Sequence, residues 1–355
     1  MSTTRSRDEM QQMAADRLVL SKRLICQWAT GCGKTCIALK FIKERPDTKT
    51  LILVPEQNNI QNWLDEFQKF NVPADNAEIA CYASFKKYIG TSWDLLVYDE
   101  MPHVDTEKRI AICKSVSARY ILALGAVISE DERLSLESVY GKFDKSVINL
   151  QTAIAWEMLP IPEVFICHLK LSDIDQKKYD AIQNAVIQAV SEYNLKSSEF
   201  NKRKMLRAGN IRKRFLGEKK EQAIRKLCSY LQNQNKRFLC FCSSIKQAEA
   251  IGGDKAFTSK SPVSMKHLEK FNNHEIDSLY VVGKLIEGQN LKDIECGIIG
   301  QLGGTSRITV QELGRIMRSE NPKIYVPVFD CTKDDSFLYT LTSNIPADYI
   351  FHYSL

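Results

Sequence analysis

The sequence lacks a membrane-length apolar run, internal repeats and low-complexity tracts. Its first residues, MSTTRSRDEMQQ, hold no apolar core, so no export signal is expected. No apolar stretch approaches the roughly 18–20 residues of a bilayer span, so no membrane association is expected either. Charge of one sign is also missing: 49 basic residues face 43 acidic ones, a net charge of +6. That balance permits a polyanionic partner without requiring one. Cysteine is not scarce, at 11 residues, but its arrangement lacks what a zinc site needs. Cys240 and Cys242 form C-x-C inside a strand-like run, and no second pair or nearby His completes a tetrahedral set. The thiols read as reduced, and the expected compartment is a cytosol.

What is present is enough for two cores, since 355 residues exceed one domain at roughly 100–200 residues each. The first half alternates apolar runs with helical stretches. RLICQW (23–28), TLILVP (50–55), IACYASF, DLLVYDE (94–100) and RYILALG (119–125) read as strands. NNIQNWLDEFQKF, with Ile60, Trp63, Leu64 and Phe67 at helical spacing, reads as a helix, and another is expected near 108–117. Near-continuous apolar strands separated by helices predict a parallel sheet covered on both faces. The pattern changes across 148–171, where Pro160 and Pro162 mark an extended connection. Residues 1–158 and 159–355 are therefore expected to form separate α/β domains. The second opens with a polar helical region near 175–236, and RFLCFCSS, KAFTSK, SLYVVGKL, CGIIGQL and KIYVPVFD follow as strands.

Three segments carry chemistry. WATGCGKT (28–35) ends as a phosphate loop ends, although counting back from Gly33 puts Trp28 where the generic pattern opens with glycine. Thr30, Gly31, Cys32 and Gly33 form the turn; Lys34 would reach the β- and γ-phosphates of a nucleotide, and the Thr35 hydroxyl would coordinate Mg²⁺. DLLVYDE then ends a strand in two carboxylates about 65 residues later. Asp99 suits the metal, and Glu100 suits the attacking water. QELGRIMR (311–318) places Arg315 and Arg318 three apart on one helical face, suited to stabilising charge on a transferring phosphoryl group. Gly314 permits close approach.

In this order the segments resemble the superfamily 2 helicases of the DExH type, over nearly the whole chain. The likeness is nearest to the compact forms of bacteria and their phages. ATGCGKT corresponds to motif I, LILVPEQNNIQNWLDEF to motif Ia, YASF to the following strand-end segment, YDEMPH to motif II, LYVVGKLIEGQNL to motif V and QELGRIMR to motif VI. The resemblance implies two tandem RecA-like P-loop NTPase domains, parallel sheets flanked by helices, with the basic helical segment at the start of the second domain. It implies ATP and Mg²⁺ as cofactors. Motif I in this superfamily commonly lacks the first glycine, which accounts for Trp28. Gly288 and Asn290 match the motif V position that couples nucleotide to nucleic acid. Gln311, Arg315 and Arg318 complete the ATP site, and Gln11 or Gln12 stands at the distance of the adenine-recognising glutamine.

Three positions depart from the family pattern. Motif II continues with Pro102 and His103 rather than D-E-x-H. Motif III reads GAVIS (125–129), its linking hydroxyls missing or displaced to Ser129. Motif Ia has Glu56 where a Thr is frequent. On the nucleic-acid side, NKRKMLRAGNIRKRFLGEKK supplies Lys202, Arg203, Lys204, Arg207, Arg212, Lys213 and Arg214, natural partners for backbone phosphates. Trp63 and Phe215 are aromatics that could stack bases, although at their spacing such residues more often serve a core or an interface. No base-reading motif is present. The expected activity is an ATP-dependent helicase or translocase, most readily on DNA, for which a monomer suffices. The alternative is an ATP-gated nucleic-acid clamp or strand-annealing factor.

Overall fold

The computed structural model describes residues 6–101, 107–257, 264–282, 291, 293–302, 313–317, 319–343 and 345–354. The chain separates into two compact units, with the break between Pro160 and Ile161; Leu313–Arg315 groups with the first.

The first unit runs α1 (Arg7–Ser21), β1 (Arg23–Trp28), α2 (Lys34–Lys43), β2 (Thr50–Val54), α3 (Gln57–Lys69), β3 (Ala77–Cys81), β4 (Ser92–Tyr98), α4 (Glu107–Cys113), β5 (Ser117–Gly125), α5 (Glu130–Tyr140), β6 (Asp144–Ile148) and α6 (Leu150–Ala155). Its six strands pair in parallel in the order β3-β2-β4-β5-β1-β6. β2 is buried at every position and β1 and β5 along most of their length, as helices on both faces require. α1 begins at a capping box, Ser6 with Glu9. Arg17 fastens it to the sheet through a two-point ion pair with Asp144 on β6, at 2.9 and 2.6 Å. Lys40 of α2 reaches Asp8 of α1 at 2.7 Å.

The second unit runs β7 (Glu163–Leu169), α7 (Asp173–Leu195), α8 (Glu199–Lys219), α9 (Glu221–Asn233), β8 (Phe238–Cys242), α10 (Ile245–Gly252), β9 (Ala256–Phe257), α11 (Ser264–Asn272), β10 (Ser278–Val282), β11 (Cys296–Ile299), β12 (Lys323–Phe329), α12 (Lys333–Thr342) and β13 (Ile350–Ser354). Its seven strands are all parallel, in the order β13-β7-β12-β11-β8-β10-β9. Lys220, at the α8–α9 junction, forms a fully buried ion pair with Asp334 of α12 at 2.6 Å. Removing either partner would strand the other charge in the interior.

Several expectations change. The stretch 148–171 is more than a connection: it contains α6 and β7, and β7 lies inside the second sheet between β12 and β13. The YASF segment leaves β3 as a 3-10 turn, Tyr82–Tyr88. Of KAFTSK only Ala256–Phe257 forms a described strand. The helical region resolves into α7, α8 and α9. All 11 cysteines are free, Cys331 alone being exposed; Cys240 and Cys242 are buried with their sulfurs 3.8 Å apart. Among the described residues no group of three or more His, Cys, Asp or Glu could hold a metal ion, and no helix is long and apolar enough to cross a membrane.

Candidate active site

Trp28 belongs to β1 rather than to the loop that follows. Its side chain is fully buried, and its indole N–H donates to Ser146 Oγ on neighbouring β6 at 2.9 Å. The turn proper is 29–33. Gly31 (φ 94°) and Gly33 (φ 76°) both adopt left-handed backbone conformations that L side chains rarely take. Gly33 then caps α2, whose first residues are Lys34 and Thr35. The free N–H groups of this helix start and its partial positive charge face the loop. Lys34 folds back over the turn, its Nζ donating to the Trp28 carbonyl at 3.2 Å. Thr30 keeps its hydroxyl buried without a hydrogen-bond partner.

α1 supplies a group from beneath the loop. Gln11 is buried, and its amide Nε2 donates to the carbonyls of Cys32 and Gly33, both at 3.2 Å. A Cβ on Gly33 would come within 2.3 Å of that nitrogen, so a side chain there would displace the Gln11 amide, while the positive φ itself favours glycine. Gln12 points elsewhere, to Asp16 at 3.0 Å and Glu44 at 2.6 Å. Of the two glutamines, only Gln11 touches the turn.

β4 ends beside the loop, one strand away across β5. In a parallel sheet the carboxyl ends of the strands lie on one side, where ligands gather. Asp99 follows β4 directly. Trp63 of α3 donates its indole N–H to Asp99 Oδ2 at 2.9 Å, and the Glu100 N–H donates to Asp99 Oδ1 at 3.1 Å. Tyr82 donates its hydroxyl to the Asp99 carbonyl at 2.7 Å. Burial, and next the negative Glu100, push the Asp99 carboxyl up to about 6; the Trp63 bond and the Lys34 charge act in the opposite sense. Lys34 and Asp99 thus share one electrostatic neighbourhood. Glu100 itself has φ 50°, a left-handed conformation for a residue with a Cβ. Trp63 and Tyr82 are the site residues that spacing did not single out. Trp63 is not open to bases, being 2% exposed; Phe215 is half-buried beside Lys219.

Two of the departures have local explanations. Ser129 is committed to α5: its hydroxyl accepts from the Glu132 N–H at 3.3 Å, while its own N–H donates to Glu132 Oε2 at 2.7 Å. The displaced hydroxyl is therefore a helix cap. Glu56 starts α3, with its N–H on Asn59 Oδ1 at 3.2 Å, where a carboxylate complements the helix dipole. Gly314 lies where a Cβ would come within 2.3 Å of Thr30 Cβ, and Arg315 beside it is half-buried. Gln311, Arg318, Gly288, Asn290, Pro102 and His103 lie outside the described residues.

The basic residues lie on α8. Lys202, Arg203, Lys204, Arg207 and Arg214 are exposed; Arg212 and Lys213 are half-buried. Several serve the helical pair itself: Lys204 meets Glu192 at 2.6 Å, Arg212 meets Gln183 at 2.8 Å, and Arg214 meets Glu218 at 2.8 Å. Lys202 reaches Glu199 at 3.6 Å.

The family described as "Type III restriction enzyme, res subunit" matches residues 6–87, the span from α1 through the phosphate-type loop to the Tyr82 segment. The DNA 3'-5' translocase XPB2 of Sulfurisphaera tokodaii is 22% identical over 350 residues, covering 88% of this chain and 79% of that protein. A protein assigned as DNA 3'-5' helicase Rad25 in Halobacterium salinarum is 26% identical over 326 residues. That alignment covers 81% of this chain, which spans about half (48%) of that relative's length. Both relatives are archaeal. Among solved structures, the Hef helicase domain of Pyrococcus furiosus superposes with a TM-score of 0.60 at 12% identity, covering 93% of this chain and 97% of that one. Two parallel-sheet α/β domains of the tandem RecA-like kind are thereby shown.

Proposed function

We propose that the chain, whose relatives support a superfamily 2 helicase core, is an ATP-dependent DNA helicase or translocase that hydrolyses ATP at the Lys34–Asp99–Glu100 cluster. The observation that carries this reading is the convergence of a glycine-hinged helix start, a lysine and a raised-pKa aspartate at the carboxyl ends of β1 and β4. Backbone N–H groups of 31–35 and the Lys34 ammonium would hold the phosphates. Gln11 would set the loop from below and contribute to adenine recognition.

The donors suit magnesium: the Thr35 hydroxyl and the Asp99 carboxylate are hard oxygens, and Mg²⁺ needs only one or two protein ligands beside phosphate and water. Bound there, the ion would neutralise charge building on the phosphoryl oxygens. Glu100 would orient and deprotonate the attacking water. By resemblance, Gln311, Arg315 and Arg318 would stabilise the transferring phosphoryl group, and Gly288 and Asn290 would couple it to nucleic acid. The DExH subtype rests on the same resemblance. α8 would meet the DNA backbone without reading sequence. A single chain carries every motif, so a monomer suffices for hydrolysis. The unpaired thiols suit a reducing cytosol.

The test measures ATPase rate with Mg²⁺, alone and with single-stranded DNA, duplex DNA or RNA, then strand displacement on the stimulating substrate. Stimulation by DNA and loss of turnover in Lys34→Ala are expected. No stimulation by any nucleic acid would overturn the reading. Stimulation without displacement would favour an ATP-gated clamp, the second reading, to which the capped Ser129 lends weight.

A further inference from the structure

Phe200, Arg203, Arg207, Ile211 and Arg214 recur along α8 at steps of three and four residues and so share one helical face. All five are exposed. Phe200 stands in the first turn of α8, next to the connection from α7. It is 77% exposed, more than any other described phenylalanine. Arg214 is engaged by Glu218 at 2.8 Å, and nearby Glu199 by Lys202 at 3.6 Å. Arg203 and Arg207 form no described ion pair. The face is a row of cations with an aromatic ring at its outer end. The core beneath the other end of α8 is made without Phe200, from Leu216, Tyr179 and Phe329.

The outer end is built stiffly. Ser198 caps α8, its hydroxyl accepting from the Asn201 N–H at 3.2 Å. The Asn201 side-chain amide donates to the carbonyls of Glu192 and Lys196, at 3.2 and 2.9 Å, and ties the first turn of α8 to the end of α7. At the opposite end the buried Lys220–Asp334 pair holds the α8–α9 junction. The backbone that carries Phe200 is thus ordered in advance, and a ligand stacking there need not order it.

Arginines in a row along a helix complement a phosphate backbone, and an exposed ring complements the flat face of a base. Within a duplex each base is covered by its neighbours; an unpaired strand can offer a base face at every nucleotide. We propose that this face of α8 binds single-stranded DNA, with Phe200 stacked on a base and Arg203 and Arg207 on phosphates of the same strand. The proposal rests on the helicase reading and assigns α8 to the unpaired strand rather than to the duplex.

Anisotropy of the full chain with a labelled oligothymidylate, and with a long blunt duplex, tests this. Phe200→Ala is expected to weaken single-strand binding about 5–100-fold, the scale of one lost stack, and to leave duplex binding nearly unchanged. Phe200→Tyr should retain affinity, and Phe200→Leu, apolar but without a ring, should not. Circular dichroism should be the same for all. Phe200→Trp supplies a direct signature, because every native tryptophan lies at or before Trp156. Its added emission should be quenched by the oligothymidylate and not by the duplex. Full affinity in Phe200→Ala, rescue by Phe200→Leu, or equal losses on single strand and duplex would overturn the proposal. So would a concentration-dependent dimer that Phe200→Ala abolishes while DNA binding stays intact, since the face would then pair two copies. If the parent binds DNA and its ATPase responds to it, these results sink only the role of α8; a parent that binds no nucleic acid sinks the helicase reading as well.

Discussion

The indole N–H of Trp63 is bonded to the carboxylate of Asp99, joining the helix after β2 to the end of β4. That bond favours the charged form of a carboxyl which burial pushes up to about 6. An unfolded Asp titrates near 3.9, so the folded state holds this proton more tightly. Unfolding free energy therefore falls as pH rises from about 4 to 6, and the ionised Asp99 costs stability above that window. Asp99→Asn, without nucleotide or metal, is expected to stabilise the first unit at pH 7.5 by about 1–2 kcal/mol, after allowance for partial exposure and a lost bond to the Glu100 N–H. The gain should vanish near pH 4. All four tryptophans lie at or before Trp156, so fluorescence-detected denaturation reports this unit. ATPase activity should be lost. Destabilisation, or a gain that does not depend on pH, would show that Asp99 is not held against its solvation preference.

Glu100 stores strain at the next residue. A left-handed backbone costs a residue with a Cβ about 1–2 kcal/mol. Strain of this kind persists where the surroundings over-determine it, commonly at a working site. Glu100→Gly should raise stability by about 1 kcal/mol while slowing hydrolysis at least about 100-fold, the scale of a lost general base. Glu100→Gln, which keeps the Cβ, should match the kinetic loss without the gain in stability. Equal stability of both variants would place the strain elsewhere.

Gln11 and Gln12 are adjacent in sequence and opposite in consequence. Gln11→Ala removes the donor from two carbonyls of the turn; an unpartnered buried acceptor costs about 1–3 kcal/mol, so nucleotide affinity should fall at least about tenfold. Gln12→Ala removes side-chain bonds to Asp16 and Glu44 near the surface and should change affinity little. Titration with a fluorescent ATP analogue separates the two. A larger loss from Gln12→Ala would reverse the assignment.

How much of this was legible follows from the range of each interaction. β1, β2, β4 and β5 are apolar runs that announce a buried parallel sheet by themselves. The glycines of 29–33 announce a turn because few other residues adopt φ near +80°. β7 was hidden because two prolines precede it and its partners, β12 and β13, lie more than 150 residues onward. The Trp63–Asp99 bond is not legible because helical spacing says that Trp63 is buried but not against what. The role of Ser129 was readable: Ser-x-x-Glu across 129–132 is a capping box, and the same signature at Ser6–Glu9 marks α1, which carries Gln11. The hydroxyl that departs from the family pattern thus has a local use as a helix cap.

The basic residues of α8 separate into two groups by what they already bind. Lys204 and Arg214 are neutralised by Glu192 and Glu218. Arg203 and Arg207 are exposed and form no described ion pair. A cation held by a carboxylate releases fewer counterions when a phosphate arrives, because it must first give up its partner. Arg203→Ala with Arg207→Ala should therefore weaken DNA binding and lower the slope of log K against log salt by about 1–2, at roughly 0.9 per phosphate contact. Lys204→Ala with Arg214→Ala should lower it by less, while loosening the α7–α8 pair. Binding measured by anisotropy from low to moderate salt distinguishes these outcomes. If both pairs change the slope equally, the intramolecular bridges open at no cost and do not determine which cations meet DNA. If neither does, α8 is a solvated helix face and the DNA lies elsewhere.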